Sequence, residues 1–215
     1  MKFRLFAILT LTTACLAQQE SADLKALEKK AAAGDAEAQI ALGLAYDKGG
    51  SGVTQDRRKA AEWFGKAAAQ GVPEAQFNLG IMYDFGVGVT KNSAKAIELF
   101  EKAAAQGFAD AQFNLANMYA SGRGTEKNFA KAIEWYEKAA VKGMTRAQFN
   151  LGLMHALGQG VPRDSAKAYA WWVIAAADGD PAAKKNCDFI ESKATPEQKE
   201  KLKKAAEDLA EKLKK

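Results

Sequence analysis

The sequence contains little of the chemistry that enzymes and disulfide-bonded proteins use. Its 215 residues include two cysteines and a single histidine. One histidine cannot build a usual zinc site, and the acidic residues are scattered. The glycine-rich stretches lack the strand before and the Lys-Ser/Thr after that a phosphate cradle needs. We therefore predict no catalytic residue, no metal and no cofactor. With 48% hydrophobic residues, the chain can bury a large core without disulfides.

Charge gives weak support for a nucleic-acid or membrane surface. The 31 basic residues exceed the 26 acidic ones, for a net charge of +5. The excess lies at the N-terminal start and from Lys193 onward, outside the middle of the chain. We predict no nucleic-acid partner, because such proteins carry a basic patch on the binding domain itself.

Residues 1–17 resemble an export signal. Lys2 and Arg4 precede an apolar stretch at 5–14 that is too short to span a bilayer and suits a signal peptide. Small residues at the −3 and −1 positions predict cleavage after Ala17, which would leave Gln18 first. We expect a periplasmic or secreted protein.

A second interpretation of this segment stays open. Thr12-Thr13-Ala14-Cys15 resembles a bacterial lipoprotein box, which would make Cys15 the lipidated first residue, although the expected leucine lies one place early at Leu11. An uncleaved anchor and a chance apolar start are further alternatives. Membrane association is expected only if Cys15 is lipidated.

An internal repeat dominates the rest of the chain. The dipeptide Ala-Gln recurs at spacings of 37, 36 and 36 residues, and the flanking residues recur with it, starting at Ala38, Ala75, Ala111 and Ala147. Such self-similarity predicts a stack of identical small modules. We assign four full repeats to 36–179, an N-terminal half-repeat helix to 18–35, and a terminal half-repeat with a capping helix to 180–215.

Each repeat is predicted to hold two helices. In the first, apolar residues at positions 0, 4, 7 and 8, counted from the alanine of Ala-Gln, form one face. Pro73 and Pro181 fall in the first turn of such helices, with Asp35 and Asp180 as N-caps. The second helix follows a polar cap and ends at a glycine; the caps are Asp56, Asn92, Asn128 and Asp164, and the glycines are Gly71, Gly107, Gly143 and Gly179.

Large side chains fill two adjacent columns, meaning positions shared by successive repeats. One column holds Trp63, Leu99, Trp135 and Trp171, and the next holds Phe64, Phe100, Tyr136 and Trp172. The first helices carry small residues opposite them, namely Gly43, Gly80, Ala116 and Gly152. We predict that both large columns are buried and interlock with these small residues.

The unusual residues are first compared with their columns. His155 replaces a tyrosine, and Cys187 replaces a leucine, so both are expected to be structural. A nucleophilic pair would require these two residues to meet. The glutamines of the Ala-Gln pairs are also predicted to be structural.

An asparagine column is the main binding candidate. Asn78, Asn114, Asn150 and Asn186 share position 3 of the first helix, where asparagine is a poor helix former. Their carboxamides can donate to and accept from a peptide backbone, with Ile81, Asn117 and Leu153 as neighbours at position 6. The alternative is that each asparagine satisfies backbone groups of a neighbouring loop.

The final segment is predicted to close the stack. Thr195, Pro196 and Gln198 form a capping box with proline at the first helical position. Leu202, Leu209 and Leu213 give the helix one apolar stripe. We interpret it as a lid on the last repeat; a partner-binding or membrane-surface helix is the alternative.

The repeated pattern AQFNLG, MY, G-x-G, AKAIE and EKAAAQG resembles the Sel1-like repeat, a relative of the tetratricopeptide repeat. The resemblance implies an all-α fold, a right-handed α/α superhelix (solenoid) with a concave groove, and a non-catalytic adaptor that binds a protein or peptide. A cysteine-rich Helicobacter branch of the family is associated with penicillin binding and β-lactamase activity. This chain lacks the cysteine pairs of that branch, so we do not expect that activity.

Overall fold

A computed structural model describes residues 22–50 and 52–214. The predicted signal segment and Cys15 lie outside these residues. The described residues form eleven helices and no strand. The helices are α1 (22–32), α2 (Ala36–Lys48), α3 (Arg57–Ala69), α4 (Pro73–Phe85), α5 (Ser93–Ala105), α6 (Ala109–Ser121), α7 (Phe129–Val141), α8 (Thr145–Leu157), α9 (Ser165–Ala177), α10 (Pro181–Lys193) and α11 (Pro196–Leu213). Each repeat therefore holds a first helix (α2, α4, α6 or α8) and a second helix (α3, α5, α7 or α9), and α10 is one more first helix.

The chain divides into two compact units. Unit 1 ends at Ala103 and unit 2 begins at Ala104, within α5. Unit 1 contains repeats 1 and 2, and unit 2 contains repeats 3 and 4 with the C-terminal helices. In unit 1, α3 packs against α2 and α4; in unit 2, α7 packs against α6 and α8.

The predicted caps begin the helices. The carboxylate of Asp56 accepts from the backbone of Arg58 and Lys59 at 3.1 Å, and Asp164 does the same at the start of α9. Asn92 and Asn128 accept one backbone N–H each. These bonds satisfy donors that a helix start leaves unpaired, which confirms the predicted starts of the second helices.

Two loop glycines are required by close packing. Gly88 has a φ of +69°, and a Cβ there would lie 2.1 Å from the backbone oxygen of Arg57. Gly160 has a φ of +76°, and its Cβ would lie 2.7 Å from that of Phe129. In both cases the loop of one repeat lies against the start of the preceding repeat's second helix. A larger residue would combine backbone strain with a clash.

Aromatic rings fit against bare helix backbone at the repeat centre. A Cβ on Gly43 would lie 2.6 Å from Phe64, one on Gly80 2.7 Å from Phe100, and one on Gly152 2.3 Å from Trp172. These rings are buried, and Phe100 is among the largest fully buried side chains. The prediction that rings interlock with the small column is confirmed for this ring column.

The prediction was wrong for two tryptophans of the adjacent column. Trp63 and Trp135 are only half-buried. Lys66 lies 3.7 Å above the ring of Trp63, and Lys138 lies 3.9 Å above that of Trp135. Leu99 and Trp171 of the same column are buried, as predicted. In repeats 1 and 3 a lysine three residues after the tryptophan instead covers the partly exposed indole.

The glutamine column is structural, as predicted. Gln39, Gln76, Gln112 and Gln148 are all buried, and each donates to the backbone oxygen eight residues earlier, near the end of the preceding second helix. Each of these carbonyls also accepts the backbone N–H of the glycine three residues later, so the glutamine adds a second hydrogen bond at the helix end. The Ala-Gln pair thus links one helix to the next.

Helix α11 closes unit 2. Thr195 and Gln198 form the predicted capping box, and Leu202 and Ala206 are buried. The helix packs against α9, which confirms the interpretation as a lid on the last repeat. Of the helices in the described part, none combines the length and the apolar character that crossing a bilayer requires.

Candidate binding face on the first helices

The four position-3 asparagines do not share one environment. All four are half-buried on first helices. Asn114 donates to the backbone oxygen of Asp110 in its own helix at 2.9 Å. The sequence left open the alternative that each asparagine bonds the backbone of a neighbouring loop. Within the part of the chain that the structure describes, Asn114 and Asn150 do not make such a contact. The continuous four-member ladder stays a prediction.

The structure instead joins Asn117 and Asn150 through a tyrosine. Tyr136 lies on α7, is 3% exposed, and donates from its hydroxyl to Oδ1 of Asn117 on α6 at 2.5 Å. The side chain of Asn150 on α8 faces the same hydroxyl as a potential hydrogen-bond donor. Burial raises the pKa of Tyr136, and the bond from Asn150 opposes that shift. The hydroxyl therefore stays protonated and holds two carboxamides on adjacent first helices.

These bonds fix the orientation of both amides. Asn117 uses its oxygen on the tyrosine, so its NH₂ group is directed elsewhere. Asn150 uses its NH₂ group, so its oxygen is directed elsewhere. The half-buried pair thus offers one donor and one acceptor beyond the tyrosine. A peptide group carries the complementary acceptor and donor.

Charged and aromatic groups extend this region of unit 2. The guanidinium of Arg146 on α8 lies 4.7 Å from the ring centre of Phe113 on α6 and 3.7 Å from Asp110. Asn117 also lines an open cleft of about 570 Å³, together with Ser121, Lys127 and Gln159. We call Asn117, Tyr136, Asn150, Phe113 and Arg146 the first-helix site.

Two departures from the repeat pattern mark this site in the sequence. Among its column members, Asn117 alone is polar, beside Ile81 and Leu153, and Tyr136 alone carries a hydroxyl. The two departures from the repeat occur in the same repeat and contact each other. Such a paired departure indicates a site better than one position that is constant along the chain.

His155 and Cys187 are structural. Both are buried, in α8 and α10, and Cys187 is a free thiol. Burial raises the pKa of Cys187 to about 11, and the carboxylates of Glu191 and Asp188 contribute, so the thiol is not a thiolate at neutral pH. Burial lowers the pKa of His155, Lys167 lowers it further, and Asp164 opposes them. Among the described residues, no group of histidine, cysteine and acidic side chains has the arrangement of a metal site.

Comparison with known proteins identifies the class. The family profile described as Sel1 repeat matches residues 36–72, 73–108, 109–144 and 145–180. The chain belongs to the Sel1 repeat family and is an α/α solenoid, as its sequence predicted. Sel1 repeat proteins are generally non-catalytic scaffolds, and the repeat is typical of protein–protein interaction.

Two solved structures are similar to particular parts of this chain. A Sel1 repeat protein from Oxalobacter formigenes is 36% identical, with a TM-score of 0.72, over 80% of this chain and 72% of its own. The protein c5321, a protective antigen of uropathogenic Escherichia coli with an SLR fold, is 37% identical, with a TM-score of 0.78, over 88% of this chain. The match spans 41% of that antigen's length. A comparison with curated proteins finds no match.

Proposed function

We propose that this protein is an exported, non-catalytic scaffold that binds a protein or peptide at the first-helix site. The bound segment is extended and lies across α6 and α8. Its backbone accepts from the NH₂ group of Asn117 and donates to the oxygen of Asn150. Recognition of this kind tolerates different peptide sequences, because every peptide group offers the same donor and acceptor.

The observation that carries the proposal is the shared hydroxyl of Tyr136. A half-buried asparagine on a helix loses orientational freedom when it binds a ligand, and that loss weakens binding. Here the tyrosine fixes both amides before any ligand arrives. Phe113 and Arg146 supply an adjacent aromatic face with a cation, which suits side chains that flank the bound backbone.

A peptide selection tests this proposal. Phage-displayed random peptides are selected on the full chain, and the affinity of the best binders is measured by isothermal titration calorimetry. Those binders are then tested against the double variant Asn117→Ile/Tyr136→Phe, which reproduces the Ile81 and Phe100 found in repeat 2. We expect affinity to fall at least about tenfold, because the variant removes one anchoring amide and frees the other.

The double variant guards against a folding artefact, since its two apolar side chains already occupy the equivalent positions of repeat 2. Circular dichroism should match the wild type, and thermal melting should remain cooperative with only a small loss of stability. The variant Asn78→Ala is the matched control in unit 1, and it should leave the affinity within about twofold if the ligand occupies unit 2 alone. Undiminished binding by a folded double variant would refute the proposal.

Export is a separate part of the proposal, supported by the basic start and short apolar stretch of residues 1–17. N-terminal sequencing of the protein from cells of the source organism should begin at Gln18. Incorporation of labelled palmitate that disappears in Cys15→Ala would instead establish the lipid-anchored form. An intact Met1 on the mature protein would contradict both routes.

A further inference from the structure

A cleft at the C-terminal end of unit 2 is separate from the first-helix site. It has a volume of about 400 Å³ and lies where the start of α9, the end of α10 and the first turns of α11 meet. Ala166, Ile190, Ala194 and Leu202 supply its apolar lining. Its size is within the range of ordinary ligand pockets.

Phe189 makes one edge of this cleft unusually apolar. Its side chain is 65% exposed. It occupies position 6 of α10, whereas Asn117 and Leu153 at the same position of α6 and α8 are half-buried. In the described part of the chain, α10 is followed by α11, which packs against α9. An exposed aromatic ring of this size beside an apolar cleft is available for a partner.

The charged residues that line the cleft are all cationic. Arg163 precedes α9, Lys193 ends α10, and Lys201 lies on α11. Arg163 and Lys193 have no carboxylate within salt-bridge distance in the part of the chain that the structure describes. Lys201 pairs with Glu197 at 3.0 Å, but both side chains are largely exposed. Such a pair is weak, so a carboxylate of a ligand can replace Glu197.

Nearby polar groups are already engaged. The carboxylate of Asp164 accepts from the backbone of Ala166 and Lys167 as the cap of α9. Gln198 uses its side-chain oxygen on the backbone N–H of Thr195. The cleft thus combines an apolar interior with cations from three different helices or their ends, and two of those cations lack an internal partner.

We infer that this cleft binds an acidic peptide segment in which carboxylates flank one large apolar side chain on both sides. The apolar side chain packs against Phe189 and Leu202. The carboxylates pair with Arg163, Lys193 and Lys201 around it. Carboxylates on both sides of the apolar side chain give each of these cations, which come from three different elements, an anionic group to pair with. Binding at this cleft does not depend on the first-helix site.

Fluorescence polarisation of labelled peptides on the full chain tests the inference. The probe is the amidated heptapeptide Gly-Asp-Glu-Phe-Asp-Glu-Gly. One comparison peptide replaces its phenylalanine with alanine, and another replaces its acids with asparagine and glutamine. We expect the probe to bind at least about tenfold more tightly than either comparison peptide, since the cleft needs both the ring and the carboxylates.

Matched variants locate the binding. Phe189→Ser and Arg163→Glu/Lys193→Glu should each weaken the probe at least about tenfold, because one removes the aromatic wall and the other reverses the local charge. Lys203→Glu/Lys212→Glu makes the same charge change elsewhere on α11 and should alter binding by less than about twofold. All of these side chains are exposed, so the variants should fold.

Four results would overturn the inference. The first is equal binding of the alanine peptide, and the second is equal loss of binding in the control double variant. The third is self-association of the wild type in sedimentation velocity that Phe189→Ser abolishes, which would make a second copy of the chain the occupant. Loss of probe binding in Asn117→Ile/Tyr136→Phe would also contradict it, because that variant alters only the first-helix site.

Discussion

Repeats 2 and 3 place different side chains at the same positions of the fold. In repeat 2 the ring column holds Phe100, fully buried, and position 6 is the apolar Ile81. In repeat 3 the corresponding ring is Tyr136, whose hydroxyl binds Asn117 and Asn150. The helices, caps and glutamine links are otherwise the same. The shared features hold the repeats together, whereas the proposed binding site depends on residues at which repeat 3 departs from the others.

The largest effect is expected from removing the buried ring of repeat 2. Phe100→Ala should lower the free energy of unfolding by about 3–5 kcal/mol, because the side chain fills the space over the backbone of Gly80. Trp63→Ala is the control, since that ring is half-buried under Lys66. In urea denaturation, Trp63→Ala should lower the free energy of unfolding clearly less than Phe100→Ala does. Equal losses would mean that both columns contribute alike to the core, as the sequence alone suggested.

A smaller effect is expected from adding one methyl group to the glycine beneath that ring. Gly80→Ala places a Cβ 2.7 Å from the buried Phe100, and such overpacking costs about 1–3 kcal/mol. This exceeds the roughly 1 kcal/mol that alanine gains over glycine in a helix. Gly65→Ala, where nothing lies within 4 Å, should instead be stabilising. Thermal melting of the two variants decides the point, and stabilisation by both would contradict the tight packing of ring on backbone.

Converting repeat 3 toward repeat 2 should change stability little. Tyr136→Phe removes the hydroxyl from two amides and should cost about 0.5–1.5 kcal/mol. Adding Asn117→Ile should recover part of that loss, because it replaces an unsatisfied polar partner with an apolar one. The measurement is urea denaturation of both variants. A loss above about 3 kcal/mol for the single variant would show that the hydroxyl serves the fold rather than binding.

The smallest expected effect is a pH dependence of stability that arises in repeat 4. Repeat 3 provides the comparison. Lys131 lies 5.0 Å from the ring centre of Tyr119, whereas repeat 4 places Lys167 near His155. Burial and Lys167 lower the pKa of His155. The unfolded chain then binds a proton more readily than the folded one. The contribution of neutral His155 to folding stability is complete above about pH 6.5, near the pKa of the unfolded state. It is lost as the pH falls toward the lower pKa of the folded state.

The variant His155→Tyr should remove this pH dependence. Its melting temperature should change less than that of the wild type between pH 7.5 and pH 5.5. An unchanged slope would mean that His155 titrates alike in the folded and unfolded states, contrary to its burial. Asp and Glu residues titrate mainly below pH 5.5, so they contribute little to the change in melting temperature between pH 7.5 and pH 5.5.

Sequence analysis predicted the fold well because most of its determinants are local. Caps such as Asp56 lie next to the helices they begin, and glutamines such as Gln112 bond a carbonyl only eight residues away. The correct ring column was harder to predict. Trp63 and Phe64 are adjacent in sequence and both large, and only the packing of paired helices decides which one is buried.

The candidate site was predicted only in part for a similar reason. Asn150 was named as a member of the asparagine row and Asn117 as a neighbour at position 6, with no link between the two. Their actual pairing depends on Tyr136, which lies 19 residues from Asn117 on another helix. Treating each column separately conceals such a pairing, because no single position reveals that a hydroxyl lies between two amides.

The most direct test of the account is to observe the two amides during binding. In ¹⁵N-labelled full chain titrated with a selected peptide, the side-chain NH₂ signals of Asn117 and Asn150 should shift with one common affinity. The signal of Asn114, which bonds its own helix, should shift less. Saturable binding that leaves the Asn117 and Asn150 signals unmoved would contradict the claim that these oriented amides hold the ligand.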